Sequence, residues 1–557
     1  MLTKEEKEVI LKYCLQNAVF YSGKANPGAV IGKVLGEQEK LRKKVPEVRT
    51  EIEKAVKSVN RLTPEEQKKR LEKVAPKLLE KPEKEQGLPN LEGAVMGKVV
   101  TRFAPAPTGP IHIAHLMRAV FLSYLYAKKY NGKFYIRFED TDPKKVESDF
   151  YDWILEDLKK VGIEWDKVFV ESENMETYYK YARELVRRGR GYVCECSAEA
   201  FRELKAVGKS CKCRTRTVKQ NTEGLEKMIK GGFREGSVVL RLKTNMRARN
   251  PVLRDPPLMR VSEGSHPRVG TLYKAWPLYN FVCAIEDHNE GITHVFRAKE
   301  HQHNTAIQKR VYETFGWKPP VAINFGLIHL AGEKIHKRFV RDWIKSGKVT
   351  GWDDVKLPTI RALLRRGYQP KAFEEMAILC GLSKTDIKLS WENLNGINRK
   401  IIDSLANRYM AVLDPVRIEL KFSPPIRTVS MSLHPDFEDR GKREMPVDLK
   451  NIWISGEDAK KLRGKEIRLI GLGNMELKGE IGEYTGNVIK KGMQKIQWVS
   501  EPNVKLRILS PEKEMKGLAE ENVSHLKVGD LLQFERIGFG RVDTKNEKEV
   551  IVAFTHK

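Results

Sequence analysis

Apolar positions change their period along the chain, and the changes divide it. Up to about residue 95, Leu35, Leu41 and Val45 recur at helical spacing among lysines and glutamates. Thr63-Pro64-Glu65-Glu66 predicts a helix start, with Thr63 as N-cap, Pro64 in the first turn and Glu66 closing a capping box. KPEKEQGLPN (81–90) breaks the pattern and reads as a linker, so residues 1–95 are expected to form a helical N-terminal module.

From about 97 the texture is different. GKVVTRFAP is a β-branched run that ends in prolines. IHIAHLMRAVFLSYLYAKKY (111–130) has helical spacing and stops at Asn131-Gly132, a C-cap signal. KFYIRFED (133–140) alternates like a strand. Strand, helix and strand in about 40 residues make a βαβ unit, which predicts a parallel sheet with its site at the carboxyl ends of the strands. The polar clusters 102–115 and 139–142 fall there. A cysteine- and arginine-rich stretch at about 190–275 reads as an insertion into this α/β domain of 96–340. Sheet-like character resumes near 276–298 and 321–330, and a helical connector spans 341–410. After 411, VRIEL, IWIS, EIRLIGL, KIQWVS, KLRIL, LLQFERIGFGRV and VIVAF predict one or two all-β barrels or a sandwich over 411–557.

With 557 residues and 40% hydrophobic positions, the chain has apolar mass for several cores, which excludes global disorder. The 102 basic residues outnumber the 74 acidic ones, giving +28 and a pI near 9.6, so a polyanionic partner, nucleic acid first, is expected. No run approaches the roughly 20 apolar residues of a membrane helix, and MLTKEEKEVI lacks the apolar core of a secretory signal. Seven cysteines are too few for a disulfide scaffold of this size, and a cytoplasmic location is expected. Four of them, Cys194, Cys196, Cys211 and Cys213, form a CxC…CxC set that can close a tetrahedral, structural zinc site. The adjoining RTRTVK (214–219), with Arg247 and Arg249, offers cations that could follow phosphates. GAVIGKV (28–34) lacks the Walker A spacing, and GLGNME (471–476) lacks the third glycine of a dinucleotide fingerprint.

The densest chemistry lies in RFAPAPTGPIHIAH (102–115). Prolines pin a loop, Gly109 allows a turn, and His112 and His115 open a helix where phosphate is favoured. This stretch resembles the HIGH signature of class I aminoacyl-tRNA synthetases. With FYIRFEDTDP (134–143) it resembles the glutamyl/glutaminyl branch. WPLYNFVCAIEDHNEGITHVFRAKEHQHNT (276–305), GWDDVKLPTIRALLRRGYQPKAF (351–373) and 389–413 are similar to the same branch. GKANPGAVIGKVLGE (23–37) and HPDFEDRGKREMPVD (434–448) resemble its archaeal-type glutamyl members.

The resemblance implies a Rossmann-like catalytic domain, an acceptor-end-binding insertion and anticodon-binding barrels. It implies ATP with Mg²⁺, L-glutamate and tRNA(Glu), with tRNA(Gln) as a further acceptor, in a monomer. Activation would give glutamyl-adenylate, followed by transfer to the tRNA 3′ end. ATP would be held by Pro107, Gly109, His112, Ala114, His115, Glu300, Lys334 and Lys337. His112, His115 and Lys337 would steady the charge that develops on the phosphates. KIHKR (334–338) stands where the branch has KMSKS. Glutamate would meet Arg102, Ala104, Glu139, Tyr279 and Arg297, with Glu139 on the ammonium and the arginines on the carboxylates. Glutaminyl members lack an arginine at the position of Arg297, and a buried arginine facing a neutral amide would be left unpaired. Two departures, Ala114 for the signature's glycine and His336 for its serine, bear on ATP use. The alternatives are a glutamine-charging enzyme and a tRNA-binding paralogue with weakened or lost activation. Trp453, Trp498 and Phe534 are the barrel aromatics that could stack on anticodon bases.

Overall fold

The first helices start where a side chain can take up their free amides. In α1 (Lys4–Phe20) Thr3 and Glu6 form a capping box. Asn26 caps α2 (Pro27–Glu37), α3 spans Val45–Val59, and Thr63 with Glu66 boxes the start of α4 (Pro64–Val74) as predicted. Val48, Ile52, Val56 and Val59 of α3 form a buried stripe in one core with Ile10, Cys14, Leu15 and Ala18 of α1. The buried amide of Gln67 donates to the carbonyls of Gly23, Val59 and Leu62, closing this unit of residues 1–89 from within. The structure is a computed structural model that describes residues 2–21, 23–79, 87–330, 337–422 and 425–557.

The second unit, residues 90–557, is built on a parallel sheet. Strand β1 (Val100–Phe103) pairs with β2 (Lys133–Phe138), and β2 with β3 (Lys167–Val170), all parallel. The crossover helix α5 runs through 113–129, with a π turn at Leu116–Val120. It ends at Asn131, whose φ is +48°, and at Gly132, where a Cβ would stand 2.0 Å from the Val99 carbonyl. Further along, β8 (His294–Ala298) pairs in parallel with β9 (Val321–Phe325). Thr293, just ahead of β8, donates its backbone amide to the Val100 carbonyl at 2.9 Å and accepts from Val100 through its hydroxyl. The strand order is therefore β3-β2-β1-β8-β9. It reverses between β1 and β8, the crevice where sheets of this kind hold ligands.

Between the halves lies an antiparallel sheet of β4 (Gly191–Cys194), β5 (Val239–Leu242), β6 (Pro257–Val261) and β7 (Ala275–Pro277). Helices α6 (Asp149–Lys160), α7 (Met175–Arg187), α8 (Ala198–Ala206) and α9 (Val218–Ile229) come earlier in the chain, and the expectation of sheet-like character near 276–298 is corrected: Tyr279–Asn289 is helix α10. Phe281 through Asp287 are all buried, so no polar face marks the 3.6-residue period. The connector carries helices Lys337–Lys345, Ile360–Arg365, Pro370–Cys380 and Trp391–Asp403, plus a short strand, Ile387–Leu389. Arg365 forks onto Asp543 at 2.7 and 2.8 Å, and Arg366 donates to the carbonyls of Phe554 and Thr555, fastening it to the last strands.

Two seven-stranded sheets complete the chain. The edge strands of one, Asn407–Tyr409 and Ala411–Leu413, flank Met410. Those of the other, Lys495–Ile496 and Val499–Ser500, are two residues apart. Each sheet thus brings consecutive segments to its two edges, which is barrel-like curvature. LLQFERIGFGRV is two strands, Leu531–Phe534 and Gly538–Lys545, turned at Arg536 with φ +63°. Trp498 and Phe534 are core residues, and Trp498 donates its indole N–H to the Ile470 carbonyl. Trp453 remains half-buried.

Candidate active site

The loop after β1 is tied down on both sides. Pro105 and Pro107 accept, through their carbonyls, the amides of Glu139 at 3.0 Å and Glu147 at 3.1 Å. Gly109 takes φ +150°, a conformation that favours glycine. The signature segment is held by the connector: Ile113 N–H donates to the Pro358 carbonyl and Ile360 N–H to that of Ile111, both at 3.1 Å. His112 is the N-cap residue of α5. Its ring stacks on that of His115 at 4.0 Å and 26°, which brings the two predicted imidazoles together. Pro107 and Gly109 are buried, Ala104, His112 and Ala114 half-buried, and His115 and Glu300 exposed. Lys334 and His336 lie outside the described residues, as does the side chain of Lys337. The helix that Lys337 opens is anchored by Arg341, which donates to the Thr108 carbonyl at 2.8 Å and pairs with Glu147.

The expected amino-acid residues gather in the crevice between β1 and β8, around an acid the sequence reading missed. Asp287, on α10, takes the Arg102 fork at 3.1 and 3.4 Å and Arg137 at 2.9 Å, with Arg297 at 4.0 Å. Burial alone would raise its carboxyl, but Arg102, Arg137 and Arg297 hold it at about 2. Arg137, fully buried on β2, also meets Glu290 at 3.0 Å and Glu171 at 3.3 Å. Glu139 accepts from the Cys283 thiol at 3.4 Å. Burial pushes its carboxyl up, opposed by Arg137 and Arg102. Burial likewise raises the Tyr279 phenol, at the start of α10. The neighbouring Asp140 of the EDTDP motif is structural: Tyr151 and Ser172 donate to it at 2.7 Å each. Arg297 donates to Gln308 Oε1 at 2.8 Å and Thr305 at 3.4 Å, while its buried Nε makes no hydrogen bond among the described residues. Acids in an apolar run, as in CAIEDHNEG, were the available sign of Asp287 and Glu290.

The four cysteines also converge. Cys194–Cys211 and Cys196–Cys213 sulfurs are 3.9 Å apart, and all four lie within 4.8 Å of one another. A tetrahedral zinc with sulfurs at about 2.3 Å needs edges of about 3.8 Å, so this donor set fits one. The bond with Cys194 draws the Cys211 thiol down to about 5, against burial and with help from Tyr192. Burial pushes Cys196 up to about 11. Tyr192 donates to the buried Asp255 at 2.9 Å, which also takes Arg214 at 2.8 Å. Of the expected phosphate-tracking cations, Arg214 and Arg216 are therefore engaged internally, the latter with Glu195 at 2.6 Å, while Arg247 and Arg249 are exposed.

A family profile described as tRNA synthetases class I (E and Q), catalytic domain, matches residues 98–404, and its anti-codon binding domains match 406–495 and 495–543. The chain is 44% identical to the glutamate–tRNA ligase of Pyrococcus furiosus, covering 99% of this chain and 100% of that one. It is 40% identical to that of Methanothermobacter marburgensis over 99% and 100%, and 39% to that of Methanocaldococcus jannaschii over 99% and 100%.

Proposed function

The chain belongs to the class I tRNA synthetases (E and Q), and from that premise we propose how it joins L-glutamate to the 3′ end of tRNA(Glu) with ATP, through glutamyl-adenylate. One observation carries the amino-acid choice: Arg297 is a buried guanidinium whose Nε has no hydrogen-bond partner among the described residues, and it shares Asp287 with a second guanidinium, Arg102. A neutral glutamine amide facing Arg297 would accept through one oxygen only and leave the charge unanswered, whereas a γ-carboxylate takes the guanidinium in a fork.

No side chain has to act as nucleophile. A substrate α-carboxylate oxygen attacks the α-phosphorus, and the bond to the β-phosphate bridging oxygen breaks. Pyrophosphate leaves with its electron pair. Glu139 receives the ammonium, and Tyr279 and Ala104 line the amino acid. His112 and His115, with Pro107, Gly109 and Ala114 beneath the nucleotide and Glu300 beside it, steady the phosphates. By the resemblance, Lys334 and Lys337, which follow β9 in the sequence, would neutralise the triphosphate. A terminal ribose hydroxyl of tRNA then attacks the acyl carbon and AMP departs. Mg²⁺ accompanies the triphosphate. Cys194, Cys196, Cys211 and Cys213 would hold a zinc ion whose contribution is a cross-link that shapes the lobe presented to the acceptor end. On this proposal the enzyme is a monomer that works in the cytoplasm. Separately, no helix among the described residues is long and apolar enough to cross a membrane.

The test is ATP–pyrophosphate exchange with glutamate and with glutamine, run with and without tRNA, followed by charging of tRNA(Glu) and tRNA(Gln). Glutamate-dependent exchange and charging of tRNA(Glu) are expected, with tRNA(Gln) as a second acceptor. Exchange with glutamine alone would overturn the reading. Tight tRNA binding without exchange would leave a tRNA-binding protein.

A further inference from the structure

Arg297 is oriented by an amide, not by a carboxylate. Its NH1 donates to Gln308 Oε1 at 2.8 Å, whereas the nearest acid, Asp287, is 4.0 Å from NH2 and already takes the Arg102 fork and Arg137. Gln308 is itself buried, in helix Gln302–Phe315, and its orientation is dictated from behind. Its Nε2 donates to Asn280 Oδ1 at 3.3 Å. Asn280 Nδ2 donates to Asn304 Oδ1 at 3.1 Å, and Asn304 Nδ2 to His301 Nδ1 at 3.1 Å. Each amide in this chain shows its oxygen toward Arg297 and its nitrogen away from it. An acceptor at His301 Nδ1 requires a neutral ring with its proton on Nε2.

We propose that Gln308, aligned by Asn280, Asn304 and His301, is the positioning residue that sets preference for glutamate over glutamine, because it fixes Arg297 without neutralising it. A carboxylate at this position would orient the guanidinium equally well but would satisfy its charge from within the protein. The incoming γ-carboxylate would then meet a closed ion pair and a like charge. An apolar side chain of similar volume would keep the charge and release the geometry. The amide alone supplies direction while leaving the charge to the substrate. The inference rests on Arg297 being the group that meets the γ-carboxylate.

The experiment compares the full-length enzyme with Gln308→Glu, Gln308→Met and Arg297→Ala in exchange assays with tRNA present, measuring kcat/KM for glutamate and glutamine and KM for ATP. Gln308→Glu is expected to lower the glutamate-to-glutamine ratio about tenfold or more, through glutamate KM, with ATP KM unchanged. Gln308→Met is expected to lower it severalfold, and it decides the matter should the Glu variant fail to fold. If Arg297→Ala leaves the ratio as in the parent enzyme, the reading of Arg297 itself falls. If Arg297→Ala collapses the ratio while both Gln308 variants keep it within about twofold, Gln308 merely fills space and the proposal is overturned.

Discussion

The amino-acid crevice and the cysteine lobe are both small, buried and polar, yet they cohere by opposite means. In the crevice the chain's own charges hold one another. Three guanidiniums from β1, β2 and β8 face Asp287, and Glu290 and Glu171 take the remaining reach of Arg137. The guanidiniums are thus oriented by the protein's own acids, which is the arrangement that recognition of a charged ligand uses. In the lobe, four groups of one kind crowd within 4.8 Å, and their ionised forms repel. The hydrogen bond between Cys194 and Cys211 pushes the first thiol up and draws the second down, an uneven sharing that a single cation would level. On the proposed reading, the crevice would be a site of specificity held by protein, and the lobe a site of stability held by an added ion.

The largest expected effect breaks the crevice. Arg297→Ala should cut glutamate kcat/KM about a thousandfold, about 4 kcal/mol, because a desolvated carboxylate then lacks its fork. Asp287 would keep Arg102 and Arg137, so the melting temperature should fall only slightly. Exchange kinetics and thermal unfolding measured together check this. Unchanged glutamate kinetics would remove Arg297 from the site.

Breaking the lobe should give the converse pattern. Cys211→Ser, or chelation of the native protein, is expected to cost several kcal/mol locally and to expose residues 190–262 to limited proteolysis. Glutamate-dependent exchange should stay within about threefold while tRNA charging falls further. A loss of exchange equal to the loss of charging would show that the two regions are not independent. Less than about half an equivalent of zinc in the purified protein would remove the ion from the account.

What could be read beforehand follows the same division. The βαβ unit was legible because strand alternation, helical spacing and the Asn131-Gly132 stop all point one way, and the cysteine set because paired CxC spacing has few other uses. Helix α10 was misread because it is buried all round. Asp287, Arg137 and Gln308 went unseen for a related reason. A charged or amide side chain in a sequence reads as surface, and its burial depends on partners that come from other strands. Arg102 and Asp287 are 185 residues apart, and no local pattern records their meeting. The lysines of KIHKR lie outside the described residues, apart from the backbone from Lys337 onward.

A smaller effect separates the acids of the crevice by pH. Burial raises Glu290 from 4.5 to about 7, against Arg137, so the native state keeps a proton that the unfolded chain sheds. Its stability contribution is therefore intact below pH 4.5 and erodes as the pH rises to 7. Asp287 works in reverse: held at about 2 against its ordinary 3.8, it stabilises above pH 4 and loses that stabilisation as the pH falls toward 2. Glu290→Gln should remove its share of the upper slope, about 3 kcal/mol in denaturant unfolding between pH 4.5 and 7, and leave the acid limb in place, while other acids raised by burial, Glu171 and Glu139 among them, keep their shares. Asp157, raised to about 6 chiefly by burial, keeps its own shallower slope in both proteins. An upper slope identical in the variant would mean that Glu290 is ionised throughout, with Arg137 outweighing its burial.

The smallest effect asks how far the lobe depends on protein rather than on the ion. The Tyr192 hydroxyl accepts from the Cys211 thiol at 3.8 Å and donates to Asp255 at 2.9 Å, so it links one of the four thiols to a buried acid. Tyr192→Phe removes that link alone. Asp255 keeps Arg214 at 2.8 Å and the Thr244 amide at 2.7 Å, so its charge remains answered. The expected result is about tenfold weaker zinc binding, about 1.4 kcal/mol, read by chelator competition, with glutamate kinetics unaltered. Equal affinity in the variant would show that Tyr192 serves Asp255 only and that the thiols are positioned by their own loops. A loss beyond about a hundredfold would show that the lobe, like the crevice, is arranged by the chain before the ion arrives, and the contrast between the two regions would narrow to a difference of degree.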